Sequence, residues 1–152
     1  MQPVKVGVIG TGSLGFRHVQ GYQAATGVEL VGIYDINPET QSRICAECGV
    51  HGFANADEVI EAAEAVSVVV PSDQHYEVAR PVLEAGRHLL VEKPLTNNLA
   101  QAEELVALAA ERDLLMAVGH LEEFNPVLPL LDQVPGPPRF IRAERFAPYP
   151  PQ

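Results

Sequence analysis

Three groups of residues have types and spacing that could do chemistry. The first is Gly10-Thr11-Gly12-Ser13-Leu14-Gly15, which follows the apolar, β-branched run 4–9 and opens a helical stretch. A bare GxGxxG is a weak signal, but at the end of a strand and the start of a helix it describes a cradle for a dinucleotide pyrophosphate. Gly10 permits the tight turn, Gly12 leaves the phosphates access to the main chain, and Gly15 lets helix and strand pack closely. Ser13 and Leu14, at the helix start, present unpaired N–H groups and the positive end of the dipole. The competing reading, a glycine-rich turn with no ligand, leaves that context unused.

The second is Asp35, twenty residues beyond Gly15 at the end of the next apolar run. A carboxylate there accepts from the adenosine ribose hydroxyls and repels a 2′-phosphate, which favours NAD over NADP. The following residues, Ile36-Asn37-Pro38-Glu39, include no Arg or Lys to bind such a phosphate. An ordinary helix-capping Asp is the alternative. The third is Glu92-Lys93-Pro94, after a later strand-like run. A lysine there can donate to a sugar hydroxyl or ease proton transfer from it. Taken alone, the pair reads as a surface Lys–Glu contact.

The elements that must position these residues alternate. Strands are expected over 4–9, 28–34, 66–70, 88–91 and 114–118. Helices are expected over 14–25 (Leu14, His18, Tyr22 and Ala25 on one stripe), from Pro38 to Cys48, over 58–63 capped by Asp57, over 76–85, and over 99–112. The last is capped by Asn98, with Gln101 placed for a capping box. Such alternation with short turns builds an α/β, doubly wound parallel sheet of Rossmann type, with ligands outside the carboxyl ends of the strands.

Composition narrows the function classes. The chain has 152 residues, the size of one domain, and 20 acidic against 10 basic residues, a net charge of −10. That balance repels nucleic-acid backbones. No apolar run reaches the length of a membrane span. Residues 1–5 do not resemble a signal peptide, so the expected compartment is the cytoplasm. Cys45 and Cys48 form a CxxC. Zinc would need two further ligands, and no second pair supplies them. A redox pair normally opens a helix, whereas this one ends a helix, so the two cysteines read as small fillers and no metal is expected.

With these residues in place, the chain resembles the N-terminal half of the Gfo/Idh/MocA oxidoreductases over about residues 4–126. The likeness rests on the glycine loop with His18, Asp35, 68–75 (VVVPSDQH), Ala79, and 83–95 (LEAGRHLLVEKPL). Residues 119–126 (GHLEEFNP) further resemble the G-H-x-x-R-F-N-P segment of a branch acting on UDP-N-acetylated sugars, with Glu123 where that branch has arginine. The resemblance implies that Lys93 is the catalytic lysine near the reacting sugar carbon and that Glu92 holds the nicotinamide ribose. It implies that Pro71, Ser72 and His75 line the cofactor after the third strand, and that His120 and Asn125 lie near the nicotinamide. It also implies a cis Lys93–Pro94 peptide.

Family members carry a second α/β domain that supplies the substrate pocket. Residues 1–125 are therefore expected to be the dinucleotide-binding domain of an NAD-dependent dehydrogenase. Its expected substrate is a sugar, nucleotide-sugar or polyol. Residues 126–152, with eight of the 13 prolines, are expected to be a linker and the first strand (139–146) of a C-terminal substrate domain missing here. Such a half is expected to be inactive alone, and pairing of that strand between copies would give a homodimer. The other function class is a non-catalytic NAD-binding module, a sensor or interaction domain.

Overall fold

The computed structural model describes residues 2–131 together with 133, 136, 137, 139, 140, 142 and 144. The chain divides into two units, Met1–His120 and Leu121–Gln152. In the first, the elements run β1 (Val4–Ile9), α1 (Ser13–Ala24), β2 (Val28–Tyr34), α2 (Pro38–Cys48), α3 (Ala56–Ala62), β3 (Ala65–Val68), α4 (His75–Glu84), β4 (His88–Val91), α5 (Leu99–Glu111) and β5 (Met116–Val118). The second unit contains a 3-10 turn (Leu121–Phe124) and a short helix, α6 (Leu128–Leu131).

The five strands form one parallel sheet in the order β2-β1-β3-β4-β5. The order reverses after the first strand–helix–strand unit, which makes the fold doubly wound, with its switch point between β1 and β3. Ile33 also makes a parallel bridge to Gly52 on the outer side of β2. Ile9 pairs with Tyr34 and Val68, Val68 with Val91, and Val91 with Val118. The strands therefore end level. The residues that follow them (Asp35, Gly10, Val69, Glu92 and Gly119) stand in one row along the carboxyl edge.

Neighbouring residues of a strand point to opposite faces. Val8 accordingly packs with Val19, Ile33 and Ile44, under α1 and α2. Ile9 packs on the other side, in a cluster with Val59 and Ile60 of α3, Val82 and Leu83 of α4, and Leu105 of α5. Both faces of the sheet are covered, which is why the strands read as continuous apolar runs.

Several boundaries differ from the sequence reading. Asn55, not Asp57, caps α3: its side chain accepts from Glu58 N–H at 3.0 Å, and Asp57 lies in the first turn. The buried face of α1 carries Gly15 and Val19, so the stripe through Leu14 and His18 is offset from it by one residue. Strand β3 ends at Val68, which frees Val69 and Val70 to turn along the sheet edge. His75 is already helical, and β5 begins only at Met116. Asn98 caps α5 by accepting from Ala100 N–H at 2.9 Å. Of the expected strand 139–146, Arg139, Phe140, Arg142 and Glu144 are described and lie in no strand; the other four lie outside the described residues. Among the described residues no helix is long and apolar enough to cross a membrane.

Cys45 and Cys48 are free thiols, partly buried against the Val8 cluster at the end of α2. Burial pushes both thiols above their ordinary range. The neighbouring Cys48 adds to this at Cys45, and Glu47 adds to it at Cys48. The pair thus lacks the lowered pKa of a redox CxxC.

Two outcomes follow from this packing. Leu105 is fully buried and Leu99, on the same helix, is 74% exposed. In urea unfolding, Leu105→Ala should cost about 2–5 kcal/mol, and Leu99→Ala should stay within about 0.5 kcal/mol of the parent. Alkylation of the native thiols by iodoacetamide should be slower at neutral pH than that of an unfolded control. The rate should climb as pH rises through the raised thiol range, because only the thiolate reacts.

Candidate functional site

A cleft of about 550 Å³ lies along the carboxyl edge, at the switch point. Gly10, Gly12, Ser13 and Leu14 form one wall. Gly10 has φ +88°, and a Cβ there would stand 2.5 Å from the Val69 carbonyl. Glycine alone allows both the left-handed turn and this close passage of two strand exits. A Cβ on Gly15 would fall on the Gly10 carbonyl, so Gly15 works beneath the cleft, by letting α1 start hard against the end of β1. Gly12 is different: a Cβ there would meet nothing within 4 Å. It faces open space in the cleft.

Helices α1, α3 and α4 all begin at residues that line the cleft, and their caps differ. Asn37, Asn55 and Asn98 cap α2, α3 and α5 with side-chain acceptors. Helices α1 and α4 have no side-chain cap, and α1 has no acidic residue in its first turn. Both begin at the cleft, α1 through Gly12 and Ser13 and α4 through Gln74 and His75. Uncapped N–H groups at a helix start suit an anion. The α1 start, with Gly12 open above it, therefore fits a pyrophosphate.

At one end of the cleft, Asp35 is held from three sides. Thr11 N–H donates to Oδ2 at 2.6 Å, the buried Thr11 hydroxyl donates to the same oxygen at 3.1 Å, and Asn37 N–H donates to Oδ1 at 2.9 Å. The Asp35 N–H donates to Gln41 Oε1, and Gln41 reaches on to the Phe53 carbonyl. A carboxylate has about four acceptor positions, so a site remains for a hydroxyl donor. Asp35 caps no helix; Asn37 does that. Ile36, 83% exposed, lines the cleft next to Asp35 in the chain, and Ala56, Gln74 and Val78 line it too.

At the other end, Lys93 is exposed on the cleft, and the Lys93–Pro94 peptide is cis. Glu92 does not form the surface pair with lysine that its position suggests. It turns inward, is 4% exposed, and places Oε1 3.0 Å from His18 Nε2. Its Oε2 accepts from Lys93 N–H at 3.3 Å. A buried carboxylate needs such partners, and Gly119 gives it room: a Cβ there would lie 2.6 Å from Oε1.

The structure brings Gly10, Gly12, Ser13, Leu14, Asp35, Pro71, Ser72, His75, Glu92 and Lys93 to this one cleft. His75 is there in another capacity than direct recognition. Its ring is buried, with Nδ1 2.7 Å from the Pro94 carbonyl and Nε2 3.0 Å from the Val70 carbonyl. Carbonyls only accept and a neutral imidazole carries one N–H, so one of these contacts takes the ring's hydrogen, and both nitrogens face the main chain rather than a ligand. His120 follows β5, is exposed, and does not line the cleft. Asn125 belongs to the second unit, where it donates to Glu122 and accepts from Val127 N–H. The sequence reading missed Thr11, Ala56, Gln74 and Val78. Thr11 sits between two named glycines and could have been found there; the others carry no signal, because only folding brings them to the cleft.

A family model described as an oxidoreductase family with an NAD-binding Rossmann fold matches residues 4–120. The chain belongs to the Gfo/Idh/MocA oxidoreductase family. Among its Gfo/Idh/MocA relatives, UDP-N-acetylglucosamine 3-dehydrogenase of Acidithiobacillus ferrooxidans is 38% identical over 150 residues, 98% of this chain and 47% of that protein. The solved structure of that dehydrogenase superposes with a TM-score of 0.82 at 37% identity, covering 88% of this chain and 44% of the other. Glucose-6-phosphate 3-dehydrogenase of Bacillus subtilis is 36% identical over 98 residues, 64% of this chain and 28% of that enzyme. GenD2 from gentamicin A biosynthesis, solved in complex with NAD, aligns at 30% identity with a TM-score of 0.74, over 78% of this chain and 35% of its own. The chain thus spans about half or less of the length of these family members.

The loop geometry separates two glycines by experiment. Gly15→Ala should lower stability by about 1–3 kcal/mol, because its methyl has no space. Gly12→Ala should leave stability within about 0.5 kcal/mol of the parent. Thermal unfolding of both variants checks this.

Proposed function

We propose that this chain is the dinucleotide-binding half of an NAD-dependent dehydrogenase that oxidises a hydroxyl of a sugar, nucleotide-sugar or polyol. The observation that carries the cofactor assignment is Asp35. It is fixed at the cleft rim by Thr11 and Asn37, and Lys93 is the one Lys or Arg among the residues lining the cleft. A 2′-phosphate would meet a carboxylate and no cation, whereas a ribose diol would find an acceptor. The α1 start would hold the pyrophosphate through main-chain N–H groups. That orientation would leave Glu92 and Lys93, at the other end of the cleft, for the nicotinamide half.

Bound NAD supplies the hydride acceptor. The Lys93 amine is the group of this chain suited to take the proton from the substrate hydroxyl as its carbon gives up hydride. Glu92 would hold the nicotinamide ribose with whatever acceptor capacity His18 and the Lys93 N–H leave. The substrate class is supported by the two relatives named for dehydrogenation at position 3 of a hexose derivative. Residues beyond 125 would lead towards the partner domain that completes the substrate pocket.

Calorimetric titration tests the reading. NADH should bind more tightly than NADPH, and Asp35→Ala should narrow that difference. Gly12→Val should abolish binding of both while keeping the fold, because its side chain fills the open space over the α1 start. Equal or tighter binding of NADPH by the parent would remove Asp35 from its role, and undiminished binding by Gly12→Val would remove the site.

A further inference from the structure

Three consecutive residues, Glu92, Lys93 and Pro94, are gripped from two sides by two histidines that no hydroxyl or phosphate chemistry requires. His18, from α1, meets the Glu92 carboxylate through Nε2 at 3.0 Å, and both side chains are largely buried. His75, the first residue of α4, meets the Pro94 carbonyl through Nδ1 at 2.7 Å and ties it to the Val70 carbonyl through Nε2. Glu92 then accepts from the Lys93 N–H. The lysine's main chain is thereby fixed before and after it, while its own side chain stays exposed on the cleft.

We propose that His18 and His75 are positioning residues for Lys93. They act through Glu92 and Pro94 and touch neither cofactor nor substrate. The two helices that carry them are the two that start, uncapped, at the cleft. The elements that would seat the dinucleotide therefore also set where the lysine stands, so the distance from cofactor to lysine is fixed by rigid packing. Small errors in such a distance are costly to catalysis, which gives these largely buried histidines a purpose beyond filling the core. The inference rests on the proposed function only for what Lys93 does; the gripping itself is independent of it.

The test exploits which ring nitrogen does the work. The amide nitrogen of Gln reaches the place of a histidine Nε2, and that of Asn the place of Nδ1, each as a donor. At position 18 the working atom is Nε2, so Gln should substitute and Asn should not. At position 75 the atom facing Pro94 is Nδ1, so Asn should substitute and Gln should not. The four variants are made in this chain and followed by NMR without cofactor or substrate, so the outcome stands apart from the proposed activity.

His18→Asn should speed hydrogen exchange at the Lys93 amide about tenfold, and His18→Gln should leave it within about twofold, with the Val8 and Val91 amides unchanged in both. His75→Gln should shift the Pro94 carbonyl carbon resonance to that of an unbonded carbonyl, and His75→Asn should leave it in place. Asn and Gln behaving alike at a position would overturn the assignment there. So would unfolding of both variants at that position, since the ring would then be holding the core and not the turn.

Discussion

The level ending of five parallel strands is the constraint on which the rest of this structure depends. The last residues of neighbouring strands pair with one another, from Tyr34 through Ile9, Val68 and Val91 to Val118, and the β1–β2 ladder reaches that level through a one-residue shift between Val6 and Gly7 that passes over Val31. A slip by one residue would exchange the side chains of the two faces, Val8 for Ile9, and both faces are already packed. The register is therefore held by the two hydrophobic clusters on either side of the sheet. Everything with chemical capacity in the first unit then follows directly: a glycine loop, a carboxylate, and a Glu-Lys-Pro turn leave the sheet side by side because their strands stop together.

Close packing at that edge leaves little freedom. The Gly10 turn passes against the Val69 carbonyl, and Gly15 sits against the Gly10 carbonyl. A side chain at Gly10 would push the exits of β1 and β3 apart, and one at Gly15 would push α1 away from the end of β1. The same packing delivers the N-termini of α1 and α4 to the cleft without side-chain caps, while α2, α3 and α5 are closed by asparagines. A chain with a net charge of −10 can still favour an anion at one point, because the favourable groups are main-chain N–H dipoles and not side-chain cations.

Burial of Glu92 is the costly feature of the edge. A carboxylate removed from water must be met by donors, and it is met by His18 and by the neighbouring Lys93 N–H. The arrangement ties α1 to the exit of β4 across the sheet edge. It also explains why Glu92 and Lys93, adjacent in sequence, have opposite environments: residues that follow one another at a strand end point in alternate directions. One goes into the protein and one goes to the cleft.

Much of this was legible in the sequence because it depends on local periodicity and on glycine. The strand runs, the proline at the start of α2, Asn98 before α5 and the spacing from Gly15 to Asp35 are properties of short segments, and they account for the fold class and for the part of the cleft lined by Gly10, Gly12 and Asp35. Boundaries set by competition between neighbours were less legible: Asn55 outcompeted Asp57 as a cap because its side chain faces the Glu58 N–H. Tertiary structure alone decided that Glu92 turns inward to His18, 74 residues away, and that both nitrogens of His75 are taken by carbonyls. It also decided that Ala56 and Val78 line the same cleft as Ile36. A sequence states which residues can donate, accept or pack; which of them meet is set by the burial of the two apolar faces, and no local pattern records that.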